Sequence, residues 1–96
     1  MLTKKKAAGD RVRVAFSLPP EVEAKQVAVC GEFNDWTPSL AMKRAKSGEW
    51  RGSVTLDAGR RYRFRYLLDG IRWENDWSAD EYEPNPFGSD DSVVCV

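Results

Sequence analysis

The segment from Arg60 to Leu68 constrains this chain more than any other. Tyr62, Phe64, Tyr66 and Leu68 alternate with Arg61, Arg63 and Arg65. In an extended chain that pattern puts four large side chains on one face and three cations on the other; a helix would mix the two sets. Asp69-Gly70 follows directly, a dipeptide suited to the left-handed conformations of a type I′ hairpin turn. Ile71-Arg72-Trp73 then returns as a partner strand. The chain is committed to an antiparallel sheet with one buried face.

The same period recurs elsewhere. Val12, Val14 and Phe16 alternate with Arg11, Arg13 and Ser17, until Pro19-Pro20 ends the ladder. Val27 and Val29 share one face of a segment from Gln26 to Gly31, while Ala28 and Cys30 make its other face apolar too, as in a central strand. Leu40 and Met42 suggest a short strand. Trp50, Gly52, Val54 and Leu56 line one face of a longer one. Ser92–Val96 reads as a terminal strand with both faces covered. Lys46-Ser47-Gly48 and Asp57-Ala58-Gly59 are turns, and no amphipathic helix intervenes. About seven antiparallel strands at this spacing predict an all-β, immunoglobulin-like sandwich. Residues 1–10 read as a flexible polar tail and residues 11–96 as one domain. Asn75 to Asp91, with Pro84, Pro86 and Gly88, has no clear period and reads as a long loop of the kind that carries function or disorder.

At 96 residues the chain holds one domain with a modest core. It has no histidine, so nucleophile–histidine catalysis and histidine metal sites are excluded. Cys30 and Cys95 are too far apart in sequence for a zinc ribbon or a CxxC pair; they could pair only if their strands adjoin. No metal ligand set and no cofactor is expected. No apolar run is long enough to span a membrane, and Lys4-Lys5-Lys6 precedes no apolar stretch, so no secretion signal is read. The expected setting is the cytoplasm, with reduced thiols. Fifteen basic and fifteen acidic side chains balance overall. Residues 1–65, however, carry 14 basic and 7 acidic groups, and residues 66–96 carry 1 and 8. A basic zone beside an acidic zone is expected.

Four tryptophans mark where a ligand could sit. Trp50 is in strand phase with Val54 and Leu56 and belongs to the core. Trp36 lies in a polar loop between Asp35 and Thr37, either as a ligand platform or as a cap on a sheet edge. Trp73 follows the hairpin turn and suits a platform or a core plug. Trp77 is expected to pin the long loop to the sandwich. A flat indole beside Arg, Asn and Asp fits a pyranose, whose C–H face is apolar and whose rim bears hydroxyls. Arg61, Arg63 and Arg65 with aromatics around them could instead present a single-stranded nucleic-acid surface or a plain solvated face. Zero net charge and the acidic run Asp80-Glu81-Tyr82-Glu83 argue against nucleic acid. The carboxylates at Glu74, Asp76, Asp80, Glu81 and Glu83 would need fixing across a cleft to hydrolyse a glycoside, and a small sandwich offers little cleft. No catalytic residue is assigned.

Two motifs together carry a family resemblance. Gly31-Glu32-Phe33-Asn34-Asp35-Trp36, then Tyr62-Arg63-Phe64-Arg65-Tyr66-Leu67-Leu68-Asp69-Gly70 and a closing Ser92-Val93-Val94, resemble family 48 carbohydrate-binding modules. These are the early-set domains of isoamylases and glycogen-branching enzymes, with a relative in the glycogen-binding domain of the AMP-activated protein kinase β subunit. The likeness runs from about Arg11 to Val96. It implies a non-catalytic module for α-1,4-glucans such as glycogen, starch and maltooligosaccharides, with Trp36 and Trp73 as stacking platforms. One extra residue separates Gly70 from Trp73 compared with the kinase-type module. Arg65 falls where that module bonds sugar through lysine, Phe87 where a leucine packs on the glycan, and Asp91 where an asparagine bonds it. The alternative the resemblance leaves open is an early-set domain that docks to an amylolytic or glycogen-metabolising enzyme. Whether the chain stands alone or is an excised domain is also left open.

Overall fold

The computed structural model describes all residues, Met1–Val96. Ten strands form two antiparallel sheets packed face to face: β1 (Leu2–Ala7), β2 (Arg11–Leu18), β3 (Val27–Gly31), β4 (Leu40–Ala41), β5 (Lys43–Arg44), β6 (Trp50–Asp57), β7 (Arg61–Leu68), β8 (Arg72–Glu74), β9 (Glu81–Pro84) and β10 (Asp90–Cys95). The smaller sheet runs β1-β2-β6-β5; the larger runs β4-β3-β7-β10-β9, with β8 also paired to β7. This is the expected immunoglobulin-like sandwich.

The alternation read from sequence builds the core. Val14, Phe16 and Leu18 of β2 meet Phe64, Tyr66 and Leu68 of β7 and Val29 of β3, all nearly solvent-free. Phe16 and Phe64 rings lie 5.1 Å apart edge to face, and Tyr66 joins Phe64 at 5.7 Å. Trp50 is buried, as its phase requires. Leu40–Arg44 is not one strand but two: β4 pairs with β3 and β5 with β6, so the chain crosses between sheets at buried Met42. Asp69 and Gly70 both take positive φ, 54° and 71°, as a type I′ turn requires. The Asp69 carboxylate also accepts the amides of Lys25 (2.7 Å) and Gln26 (2.9 Å), tying the hairpin to the entrance of β3.

Several expectations are corrected. Residues 1–10 are not a free tail: Leu2–Ala7 pairs with β2 along its length and Leu2 packs on the core. Its lysines hide the strand period because edge strands carry such charges. The stretch Asn75–Asp91 is not one loop, since Glu81–Pro84 forms β9 and β10 begins at Asp90. Trp77 does not pin this region and stays 54% exposed. Asn75 and Asp76 do the pinning: Ser92 donates to Asn75 Oδ1 through its amide (3.1 Å) and hydroxyl (2.8 Å), and its Oγ accepts the Asp76 amide at 2.9 Å. Tyr66 donates its hydroxyl to buried Asp76 at 2.5 Å. Burial, then the Asp76 charge, raises the Tyr66 phenol far above its ordinary value. Cys30 and Cys95 are both free. Their strands flank β7 on opposite sides, with Cys30 opposite Arg65 and Cys95 opposite Arg61, so they lie two ladder steps apart, roughly 10 Å before any offset along the strands.

Candidate functional site

The register of the larger sheet sorts its outward side chains into rows. Cys30 stands beside Arg65; Ala28, Leu67 and Trp73 form the next row. Trp73 therefore leaves the sheet on the same face as Arg63 and Arg65, pointing away from the core.

Trp36 reaches this face from the loop after β3. Gly31 ends β3 where a Cβ would lie 2.5 Å from the Arg63 carbonyl oxygen and 2.9 Å from Phe64 Cβ, so no larger residue fits. Phe33 turns inward and meets Phe16 at 5.9 Å and Tyr62 at 6.2 Å. The Asn34 side chain accepts the Gly31 amide and donates to the Val29 carbonyl, both at 2.9 Å. The Trp36 amide donates to the Gly31 carbonyl at 2.8 Å. Asp35 and Trp36 then both adopt left-handed backbone, with φ of 54° and 60°. That conformation costs an L-residue about 1 kcal/mol. The inward Phe33 and the Asn34 clamp hold it, and the indole is left 37% exposed.

The third wall is the β9–β10 hairpin. Asn85 spends its whole side chain inside it. Its Oδ1 accepts the amides of Phe87 (3.0 Å) and Ser89 (3.2 Å); its Nδ2 donates to Ser89 Oγ (2.9 Å) and Asp91 Oδ1 (3.1 Å). This clamp holds Phe87 at the tip, 91% exposed. Asp91 lies deep, 7% exposed, with its other oxygen accepting from Arg63 at 3.4 Å.

These elements enclose one concavity of about 700 Å³, lined by Trp36, Arg65, Trp73, Phe87 and Asp91 together with Glu32, Arg63, Asn85 and Pro86. All five residues expected at a site from sequence are brought together. The other four were missed. Arg63 was visible only as part of the arginine stripe, and Asn85-Pro86 fell in a stretch without period; the Asn-Pro dipeptide was the available turn signal.

The three arginines of β7 differ sharply. Arg61 pairs with Glu81 (3.1 Å) and Glu83, and Arg63 with Glu83 (2.6 Å) and Asp91, over the top of β10. Arg61 hydrogen-bonds to both glutamates; the Cys95 thiol, then Arg61, holds Glu81 below the usual carboxylate range, and Arg61 does the same for Glu83. These cations are occupied, which removes the stripe as a run of free phosphate ligands. Arg65 makes no ion pair, and its Nε is buried without a hydrogen-bond partner. It is the one arginine of the stripe left for a ligand.

Comparison with known proteins places the chain in a family. A family profile described as the glycogen recognition site of AMP-activated protein kinase matches residues 14–93. Over 76 residues, 76% of this chain, the sequence is 44% identical to the 1,4-alpha-glucan branching enzyme GlgB of Lactiplantibacillus plantarum (strain ATCC BAA-793 / NCIMB 8826 / WCFS1). The match spans only 12% of that enzyme's length.

Proposed function

The chain belongs to the family of the glycogen recognition site of AMP-activated protein kinase, and from that premise, a glycogen-binding module, we propose that it holds α-1,4-linked glucans in the concavity on the outer face of its larger sheet. Trp36 and Trp73 stack on the C–H faces of glucose rings. Arg65 donates to ring hydroxyls through its free guanidinium edge. Phe87 packs against the glycan at the hairpin tip. Asp91 accepts a hydroxyl from the floor, since each of its oxygens keeps a lone pair beyond those used by Arg63 and Asn85. Starch and maltooligosaccharides present the same surface as glycogen and are bound in the same way.

The observation that carries this reading is Arg65: a cation without an ion pair, lining one concavity with two exposed indoles. A hydrogen bond from its charged guanidinium to a ligand hydroxyl contributes about 1.5–3 kcal/mol. Each stacked ring adds about 2.5 kcal/mol by covering about 100 Å² of apolar area. Less the cost of association, the sum points to micromolar-to-millimolar affinity.

The module's role is to hold a glycogen-processing enzyme on its polymer, with no chemistry of its own. The kinship with a stretch of a branching enzyme supports that setting. Two free thiols on separated strands suit the cytoplasm. Maltoheptaose titration, followed by tryptophan fluorescence, tests the site. A saturable change below millimolar ligand is expected; no change at millimolar ligand overturns the proposal.

A further inference from the structure

The outer face of the smaller sheet carries an excess of positive charge. Its outward residues fall in rows across β1, β2, β6 and β5. One row places Lys5 directly opposite Arg13, and another places Lys43 directly opposite Arg51. Arg11 stands beside the first pair. All five are exposed. Like charges directly opposite each other in a sheet are destabilising. Lys5 and Lys43 make no ion pair and Arg13 donates only to Ser53 Oγ at 3.0 Å, so the repulsion between Lys5 and Arg13 is not relieved within the chain. Arg11 has a long contact with Asp57 (3.8 Å) and Arg51 pairs with Glu49 at 2.9 Å; five cations against these two carboxylates leave the face positive.

Between the two like-charged pairs lies a row of small neutral residues, Thr3, Ala15 and Ser53. Four residues of β2 separate the pairs, from Arg13 to Ser17 opposite Arg51. At 3.3 Å per residue that is about 13 Å along the strands; the pairs also lie two strand spacings apart across the sheet, about 10 Å, so their centres are about 16 Å apart. Of the exposed large apolar side chains of the protein only Met1, at one edge opposite Ser17, is in phase with this face, and none of the exposed aromatic ones lies on it. It therefore offers no stacking surface for bases and no wedge for a lipid bilayer. It also points away from the glucan concavity, which sits on the outer face of the other sheet.

We propose that this face docks an acidic protein surface bearing two carboxylate clusters about 16 Å apart, leaving the glucan site open on the far side. The small central row lets the partner's backbone approach, and the two cation pairs fix its register. The repulsion retained in the free module is relieved in the complex.

The test uses the intact chain and a helical peptide with two glutamate clusters about eleven residues apart, which spans about 16 Å at 1.5 Å per residue and, at about three turns, keeps both clusters on one side of the helix. Its controls are the same peptide with all glutamates at one end and a dT oligonucleotide of equal charge. The two-cluster peptide is expected to bind at least about fivefold tighter than either control. The double variant Lys5→Glu/Lys43→Glu is expected to lose at least about tenfold in peptide affinity and to keep full glycogen retention. Its thermal midpoint should rise by about 2–6 °C as the repulsion disappears. Equal binding by the variant, a lowered midpoint, or tighter binding of the oligonucleotide would each overturn the proposal. Failure of glycogen binding in the unaltered chain would instead strike the glucan reading and leave this one standing.

Discussion

Arg63 reaches under the concavity to Asp91 at 3.4 Å, while Arg65, two residues on and on the same face, meets no carboxylate. One arginine is part of the wall and the other is available. Arg63→Met should therefore cost about 2 kcal/mol of stability, because it strips the cation from a nearly buried Asp91. Arg65→Met should leave stability within about 0.5 kcal/mol and lower maltoheptaose affinity about tenfold. Urea unfolding and calorimetric titration on the two variants separate these roles. Equal stability losses would show that Arg65 also holds the fold.

The two indoles of the concavity should behave alike, and Trp77 differently. Trp36→Ala and Trp73→Ala each remove a half-exposed ring, so stability should fall by at most about 2 kcal/mol, while glycogen retention falls at least tenfold. Trp77, whose indole N–H donates to Glu74 at 3.4 Å, lies outside the concavity. Trp77→Ala should retain glycogen fully. Affinity electrophoresis in glycogen gels measures all three. Full retention by both Trp36→Ala and Trp73→Ala removes the stacking mechanism.

Much of this arrangement was legible in the amino-acid sequence because burial leaves a period. The strands β2, β6 and β7 each bury one face, and Asp69-Gly70 needs the positive φ it adopts. The Gly31–Trp36 loop was readable through its turn formers and its exposed aromatic. Edge strands left no such trace. Lys4–Lys6 and Glu81–Glu83 pair only on one side, so charge replaces alternation there. Val93 shows the same limit from the other side. It is 1% exposed and in register with Arg63 and Glu81 on the outer face, covered by charged side chains rather than by the core cluster. Asn85 escaped notice because its role lies in four hydrogen bonds within one hairpin, which no hydrophobic pattern encodes.

The Trp36 loop should respond in opposite directions to two glycine substitutions. Gly31→Ala places a Cβ against backbone and against the Phe64 side chain that cannot move away, and should cost at least about 2 kcal/mol together with loss of glycogen binding. Asp35→Gly relieves a left-handed non-glycine residue and should raise stability by about 0.5–1 kcal/mol. The clamp Asn34→Ala should lose about 1–2 kcal/mol, since the Gly31 amide and the Val29 carbonyl both lose their partner. Thermal melts rank the three. A Gly31→Ala protein as stable as the parent would show that β3 can shift away from β7.

Acid should loosen the hairpin in two stages that salt distinguishes. The amides of Gln26 and then Lys25 hold the Asp69 carboxyl below its ordinary value, and the contacts already described do the same for Glu81 and Glu83. A carboxylate depressed in the folded state contributes stability that is complete above its unfolded pKa. That contribution is lost as pH falls through the folded value, because the unfolded chain then binds more protons. The urea midpoint should thus fall between about pH 5 and about pH 3. The share from Glu81 and Glu83 lies in exposed ion pairs and should shrink in high salt. The share from Asp69 rests on hydrogen bonds to backbone amides and should persist. Asp69→Asn should lower stability at neutral pH and flatten the acid slope that remains in high salt. An unchanged slope in that variant would assign the acid sensitivity to other carboxylates and leave the β2–β3 entrance held by the hairpin backbone alone.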